Sequence, residues 1–344
     1  MTDSFGFALE EQAGACDALG SPFTARLLRV LGQVWPRGTM LAQQVAAWPG
    51  DLGPRAASVP LRIAGGLHAL VLAGRVPDLA ALYPPDAGRD LAAPLVRALL
   101  AEDAFLCDWV KTAPQTNEVG RSAVLLAAAA EVTRRYGLPL VLSELGASAG
   151  LNLWFDRYAL QVPEGVIGAS ASLVRLCPDW RGGVVPPVTR ITVAARRGVD
   201  LHPLDPTRDG ARLMAFVWAD QADRLARLQA ALGVGQSAVV DAGDAADWLE
   251  ARLSQPRPGA VHLVYHTIAH QYFPAIAQDR IAVAMALAGE RATPDAPLVW
   301  LGMEADGADN GAAVTLRLWP GDLRITLGRA GFHGQWLEWR GAGG

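Results

Sequence analysis

The spacing of apolar residues along the chain changes near residue 137. Before that point, apolar residues recur three and four positions apart, which is typical of helices with one buried face. This spacing predicts four helices, over Pro22–Val34, Leu61–Ala73, Leu91–Val110 and Arg121–Tyr136. Ser21 stands at the N-cap position of the first of these helices, directly before Pro22. Residues 1–137 are therefore expected to form a helical N-terminal region.

From residue 138 onward, the chain alternates between short apolar runs and longer helical segments. Six runs have the length and composition of strands: Leu140–Leu145, Arg190–Asp200, Ala238–Asp241, Val261–Tyr265, Leu298–Met303 and Ala313–Trp319. Helical spacing separates several of them, over Arg212–Leu232 and Pro274–Ala288. Strands that alternate with helices predict an α/β fold with a mostly parallel sheet covered on both faces.

The C-terminal end has a different pattern, because short alternating runs follow one another without a helix between them. These runs are Val314–Trp319, Asp322–Gly328 and Gln335–Trp339. Glycine and proline separate them, which predicts an antiparallel hairpin at the edge of the sheet. The chain is thus expected to have two parts, a helical region over 1–137 that covers a functional site and an α/β domain over 138–344.

Composition narrows the classes of partner. About 51% of the 344 residues are apolar, enough for a large core, and 30 basic against 34 acidic residues give a net charge of −4. That balance argues against nucleic acids and anionic membranes as partners and favours a small molecule. Cys16, Cys107 and Cys177 form no paired motif, and neither a signal peptide nor a membrane-spanning run is visible. We therefore expect a cytoplasmic protein, whose oligomeric state stays open.

The segment from Leu140 to Leu153 carries the clearest chemical pattern. Glu144 comes at the end of a predicted strand, and the turn Gly-Ala-Ser-Ala-Gly follows from Gly146 to Gly150. Small residues let the backbone approach a ligand closely, and the start of the next helix presents free N–H groups. The carboxylate can accept hydrogen bonds from an amine or a hydroxyl group. This pattern predicts a small-molecule site.

This pattern resembles the first motif of the Rossmann-like S-adenosylmethionine-dependent methyltransferases, in which the turn holds the methionine end of the cofactor. Later segments resemble that superfamily's next strands in the right order. Asp200 stands where an acid binds the ribose hydroxyls, and Asp244 lies in a segment similar to the one that contacts adenine. About fifty residues separate the turn from Asp200, against about twenty in a compact unit, so we expect an insertion near 158–188. The resemblance implies S-adenosylmethionine as cofactor, held by Glu144, Gly146, Ser148, Gly150, Asp200 and Asp244.

Catalytic and substrate-binding roles are assigned to residues near the expected site. His266 ends the predicted fourth strand of the α/β domain, where it would face the transferred methyl group and act as a general base near neutral pH. Asn117, Arg121 and Tyr272 are expected on the substrate side, with Arg121 pairing a carboxylate or phosphate. A second interpretation of the Asn117 segment is a structural tie to the sheet. His266 and His270 lack a third ligand, so no metal site is predicted.

Other functions remain open for the same turn. Gly146 to Gly150 also fits the G-x-S-x-G elbow of α/β-hydrolases, with Ser148 as nucleophile. Asp241 or Asp244 and then His266 or His270 follow in that superfamily's order, although the helical region before Leu140 does not fit it. A dinucleotide fingerprint is absent. A protein that binds a nucleoside-like metabolite without chemistry, or a turn that is only a tight connection, is also compatible with the sequence.

Several distinctive strings extend a resemblance over most of the chain. They are Thr116–Arg121, Ser143–Tyr158, Arg197–Pro206 and Phe216–Gln221. Together they resemble an uncharacterised bacterial family, domain of unknown function 2332. This resemblance implies one evolutionary unit of bacterial type, and it supplies neither a substrate nor an activity.

Overall fold

A computed structural model describes residues 4–84, 90–188, 190–234, 239–308 and 310–342. By internal contacts, the chain forms two compact units. The helical unit comprises Met1–Thr116 and Asp209–Ala226, and the sheet unit comprises Asn117–Arg208 and Arg227–Gly344. The expected boundary at residue 137 marks a change in the type of secondary structure, whereas these two units are defined by which residues pack together. Residues 117–137 therefore fall in the sheet unit although they are largely helical.

The helical unit contains seven consecutive helices. They are α1 (Ser4–Ala18), α2 (Pro22–Val34), α3 (Met40–Ala46), α4 (Val59–Leu72), α5 (Pro77–Ala80), α6 (Ala92–Ala101) and α7 (Asp103–Trp109). Their core is made of fully buried aliphatic side chains such as Leu28, Ile63 and Leu67. The single helix predicted over Leu91–Val110 is wrong, because the backbone leaves helical geometry at Glu102 between α6 and α7.

The start of α2 depends on a residue from the distant second segment of this unit. The backbone N–H of Phe23 donates a 2.8 Å hydrogen bond to Asp220 Oδ2, and the Ser21 hydroxyl donates to the same carboxylate. The predicted position of the N-cap, Ser21, is confirmed, but its side chain makes no capping bond to the helix backbone. A carboxylate is favoured there because it meets the positive end of the helix dipole.

The sheet unit has one large sheet, one small sheet and helices around them. Helix α8 spans Ser122–Tyr136, α11 spans Ala245–Arg252 and α12 spans Ala275–Glu290, while α9 (Pro206–Phe216) and α10 (Ala222–Val234) belong partly to each unit. Twelve strands are assigned among the described residues: β1 (Leu140–Leu145), β2 (Ala159–Val162), β3 (Gly165–Gly168), β4 (Arg175–Leu176), β5 (Asp179–Gly182), β6 (Val193–Asp200), β7 (Val239–Ala242), β8 (Val261–Thr267), β9 (Leu298–Glu304), β10 (Ala312–Trp319), β11 (Leu323–Ala330) and β12 (Trp336–Trp339).

The large sheet has the order β5-β12-β11-β10-β9-β8-β1-β6-β7. The five strands from β9 to β7 are parallel, and β9, β10, β11 and β12 pair antiparallel with one another. The predicted α/β class, the mostly parallel sheet and the C-terminal antiparallel hairpin are confirmed. The hairpin is not at the edge, however, because β5 pairs parallel with β12 outside it.

The segment expected as an insertion, residues 158–188, contributes that edge strand and also forms a sheet of its own. Strands β2, β3 and β4 pair in the order β3-β2-β4. Because this segment folds locally, β1 and β6 remain neighbours in the large sheet despite their separation along the chain.

The parallel strands determine where a site can form. Every residue of β1 and β8 is buried, as expected for central strands with both faces covered. Helices α11 and α12 pack on the sheet through an apolar cluster that includes Leu145, Val199 and Ile281. The carboxyl ends of β1, β6, β7 and β8 share one edge of the sheet, where open α/β sheets bind ligands. Within the described ranges, no helix has both the length and the apolar character needed to cross a membrane.

Candidate functional site

The turn after β1 has an unusual backbone. Gly146, Ser148 and Gly150 all adopt positive φ values, of 72°, 53° and 71°. Glycine takes this left-handed conformation easily, but for serine it costs free energy. Gly146 is also required sterically, because a Cβ atom there would lie 2.6 Å from the Cβ of Ala269 in the loop after β8. Strained backbone held by its surroundings is typical of functional sites.

Asp200, at the end of β6, fixes this turn. Its Oδ2 accepts a 2.9 Å hydrogen bond from the backbone N–H of Ser148, and its Oδ1 accepts one from His202. The carbonyl oxygen of Val199 accepts bonds from the N–H groups of Gly146 and Ala147. The structure thus brings Asp200 to the glycine turn, as the order of the motifs predicts.

A cavity of about 100 Å³ lies beside this turn, at the carboxyl ends of β1, β6 and β7. Gly146, Asp200, Gly243, Asp244 and Phe273 are among its lining residues. Two carboxylates line it, and none of the described lining residues is basic. The predicted residues Gly146, Asp200 and Asp244 therefore share one cavity.

Asp244 caps α11 as well as lining the cavity. The backbone N–H groups of Ala246 and Asp247 donate to it at 2.8 and 3.1 Å, and both bonds end on the same oxygen, Oδ1. Asp241, three residues earlier, instead pairs with Arg197 and accepts a bond from the indole N–H of Trp248. Of these two acids, only Asp244 lines the cavity.

Glu144 lies beneath the turn, outside the lining of that cavity. Its side chain is 2% exposed, and the Tyr265 hydroxyl donates a 3.3 Å hydrogen bond to its Oε2. Burial raises the pKa of Glu144 well above its usual value, which favours the neutral acid. The structure therefore does not bring Glu144 into the cavity with the other acids predicted to hold the cofactor.

The hydroxyl group of Ser148 is buried and has no hydrogen-bond partner among the described residues. A serine nucleophile needs a histidine within hydrogen-bond distance and an acid behind that histidine. In the described part of the chain, no such bond joins Ser148 to a histidine. The Ser–Asp–His arrangement considered from the sequence is not assembled around it.

His266 is engaged on both sides of its ring. Its Nδ1–H donates to Glu304 Oε1 at 2.7 Å, and its Nε2 accepts a 2.9 Å bond from the indole N–H of Trp300. It also stacks on His270, whose pKa is lowered to about 4 by burial. His266 lines a separate cavity of about 340 Å³ with Trp300 and Thr315. The structure does not bring the predicted base together with the predicted cofactor residues, and neither ring nitrogen is left for a substrate proton.

Glu304, at the end of β9, is a residue that the sequence analysis missed. Besides the bond from His266, it accepts hydrogen bonds from the backbone N–H groups of Ala269, His270 and Gln271. Burial opposes its ionisation, but these bonds and the His266 ring together lower the pKa of Glu304 below its usual value. The carboxylate holds the loop after β8, in which the β-branched Ile268 has a φ of 49°. The sequence feature that could have identified Glu304 is its position as an acidic residue at the end of a predicted buried strand.

The residues expected on the substrate side have other positions. Asn117 Oδ1 accepts a 2.8 Å bond from the backbone N–H of Leu151, directly after the glycine turn. Arg121 donates to the carbonyl oxygens of Thr267 and Phe332 at 3.0 and 2.9 Å. These bonds tie the segment to the sheet, which is the second of the two interpretations given above. Tyr272 is 75% exposed and lines neither the cavity beside the glycine turn nor the cavity at His266.

The two strings that stand out in the sequence, around Asn117 and around Gly146, therefore contact each other. Asn152 adds to this contact by donating to the carbonyl oxygen of Glu118 and accepting from the hydroxyl of Ser122.

Comparison with known proteins identifies the family of this chain. The model of a family described as an uncharacterised protein conserved in bacteria, DUF2332, matches residues 7–339. No curated protein and no solved structure shows a significant match. Because the family model covers nearly the whole chain, the protein belongs to the DUF2332 family of uncharacterised bacterial proteins.

Proposed function

We propose that this protein binds S-adenosylmethionine in the cavity beside the glycine turn and transfers its methyl group to a small molecule. The observation that carries the proposal is the lining of the cavity. It combines a glycine turn, two strand-end carboxylates and an aromatic ring, with no basic side chain among the described lining residues. Each of these features matches one part of the cofactor.

The order of the parallel strands supports this assignment. The five parallel strands, numbered 1 to 5 along the chain, are β1, β6, β7, β8 and β9. From β7 to β9 across the sheet, they stand in the order 3-2-1-4-5. This is the order of the Rossmann-like folds, which bind nucleoside cofactors at the carboxyl ends of the first strands. The turn follows the first strand, and Asp200 and Asp244 follow the second and third.

The charge of the cavity separates this proposal from a dinucleotide or nucleotide site. Phosphate groups would lie near the carboxylates of Asp200 and Asp244, where none of the described lining residues carries a compensating positive charge, and like charges at short range repel. S-adenosylmethionine carries no phosphate, so its ribose and adenine can approach these carboxylates without that repulsion.

The individual residues fit the parts of this cofactor. Each oxygen of Asp200 accepts one backbone bond and keeps a lone pair for a ribose hydroxyl, and Asp244 Oδ2 is left for the amino group of adenine. The cavity has room for about seven to ten water-sized atoms, which is the size of a purine base. Ser148 and Gly150, the other two turn residues predicted to hold the cofactor, belong to the same turn as Gly146 but do not line the cavity.

When bound, the cofactor supplies both the methyl group and its own leaving group. The contribution of this chain is then to hold the cofactor, exclude water and orient the acceptor. Holding the cofactor and orienting the acceptor need no histidine in the cavity. The proposal therefore agrees with the engagement of His266 by Glu304 and Trp300.

A second candidate function is binding of the same ligand without chemistry. The observation that favours it is that both acids lining the cavity already accept backbone hydrogen bonds, and no other titratable side chain among the described residues lines it. Incubation with S-adenosylmethionine and a pool of bacterial metabolites distinguishes the two functions. Formation of S-adenosylhomocysteine supports the transferase, and binding without that product supports the sensor.

Calorimetric titration tests the site itself. We expect S-adenosylmethionine and S-adenosylhomocysteine to bind, and ATP and NAD not to bind. Asp244→Asn keeps an oxygen for capping but loses the second acceptor, so affinity should fall about ten-fold or more. Asp205→Asn is the matched control, because Asp205 also caps backbone N–H groups, of Thr207 and Arg208, outside the cavity. Equal affinities for both variants would count against the proposed contact.

A further inference from the structure

A second, smaller cavity lies entirely within the helical unit. Its volume is about 70 Å³, and side chains of α2, α4 and the segment 215–219 line it. Most of the lining is aromatic or aliphatic and includes Phe23, Leu27, Leu61 and Phe216. None of the described lining residues is an aspartate, glutamate, lysine or arginine. A charged ligand would therefore find no counterpart there.

Tyr83 is one of several polar residues in this lining, which also include Thr24, His68 and Thr116. It lines the cavity, is only 6% exposed, and its hydroxyl group has no hydrogen-bond partner among the described residues. Its ring is held between Phe23, at a centroid distance of 4.7 Å, and His68, at 5.7 Å. Buried hydroxyl groups in folded proteins nearly always have a partner. A fixed hydroxyl in the wall of a mostly apolar cavity that lacks a hydrogen-bond partner indicates that a ligand provides this partner.

His68 stays neutral and is occupied elsewhere. Its Nδ1–H donates to the carbonyl oxygen of Ala215 at 3.1 Å, and burial lowers the pKa of its ring. The hydrogen bond fixes the imidazole ring, which in turn keeps the Tyr83 ring in place by stacking. Among the described lining residues, the Tyr83 hydroxyl is the buried side-chain donor without a partner, and its surroundings are uncharged.

We propose that this cavity binds a small uncharged molecule, mostly apolar, whose oxygen atom accepts a hydrogen bond from Tyr83. The volume admits about five to seven water-sized atoms, the size of a six-membered ring that carries one oxygen. Cyclic ketones represent this chemical class. The proposal depends on the helical unit alone and is independent of the S-adenosylmethionine site.

The test compares two probes of equal size, cyclohexanone and methylcyclohexane, by NMR titration of the full-length protein. Cyclohexanone should bind to the wild type more tightly than methylcyclohexane. Tyr83→Phe should weaken the binding of cyclohexanone about five-fold and leave that of methylcyclohexane unchanged. Tyr136→Phe is the matched control, because Tyr136 lies at the end of α8 and does not line this cavity. It should bind both probes as the wild type does.

Thermal unfolding without a ligand gives a second readout. Since the Tyr83 hydroxyl has no partner to lose, Tyr83→Phe should unfold at the same temperature as the wild type or higher. A lower unfolding temperature would show that an ordered water already satisfies the hydroxyl, and would overturn the proposal. Failure of cyclohexanone to bind, or equal binding to wild type and Tyr83→Phe, would overturn it as well.

Discussion

The backbone N–H of Ser148 donates a 2.9 Å hydrogen bond to the carboxylate of Asp200, across 52 residues of sequence. This bond joins the glycine turn after β1 to the end of β6. It can form because the intervening segment folds largely into its own small sheet and leaves the two parallel strands adjacent. The same carboxylate lines the proposed cofactor cavity, so the fold of the turn and the shape of the site depend on one residue.

Asp200→Ala should therefore lower the free energy of unfolding by about 2–3 kcal/mol, because backbone hydrogen bonds to a charged group are lost. Urea denaturation measures this change. Asp205→Ala, which removes similar bonds from the exposed first turn of α9, should cost less, about 1 kcal/mol. Equal losses in the two variants would mean that Asp200 does not hold the turn.

Ser148→Gly should raise the free energy of unfolding by about 1 kcal/mol, since glycine adopts a φ of 53° without strain and leaves no hydroxyl unpaired. The same urea experiment measures the gain, and Ser148→Ala, which keeps the strain, should gain less. Fluorophosphonate labelling provides a separate check on Ser148 in the wild type. We expect no adduct there, and a stable adduct would favour the serine hydrolase.

Glu144→Gln should alter the pH dependence of stability. Because burial raises the pKa of Glu144 in the folded state, the native protein binds more protons than the unfolded chain above about pH 4.5. The free energy of unfolding of the wild type then falls as pH rises towards the folded pKa, by up to about 1.4 kcal/mol per pH unit from this group. Glutamine does not titrate, so this contribution to the pH dependence is absent in the variant.

The measurement is urea denaturation of the wild type and Glu144→Gln at pH 5 and pH 7. We expect the variant to gain stability relative to the wild type between these two values. A difference that stays constant over this range would show that Glu144 is already ionised in the folded protein.

His266→Ala should reduce stability and leave cofactor binding intact. The substitution removes the hydrogen bond from His266 to Glu304 and the one from Trp300 to His266. We expect this to lower the free energy of unfolding by about 1–3 kcal/mol. Calorimetry should give an affinity for S-adenosylhomocysteine within about two-fold of the wild type, because His266 lines a different cavity. A large loss of affinity with unchanged stability would indicate that His266 contacts the cofactor.

The local features of this fold could be predicted from the sequence. Helix α2 and strand β1 have the bounds that their apolar spacing indicates, and the predicted turn follows β1 from Gly146 to Gly150. The order of the acids along the chain also placed Asp200 beside that turn correctly. These features depend on residues close in sequence or on the regular pairing of parallel strands.

Contacts between distant residues could not be predicted in this way. Asp220 caps a helix almost two hundred residues earlier, and Trp300 donates to Nε2 of His266, the nitrogen that a general base needs free. A histidine at a strand end has the same appearance in the sequence whether its nitrogens are free or engaged. The pairing of β5 with β12 was missed for a similar reason, since a four-residue strand leaves little signal.

A crystal structure of the protein grown with S-adenosylhomocysteine tests the central claim most directly. The account predicts the adenosine part in the cavity at the ends of β1, β6 and β7, with its ribose on Asp200 and its adenine amino group near Asp244 Oδ2. A cavity that stays without ligand at saturating concentration, or a ligand bound at any other place, would contradict it.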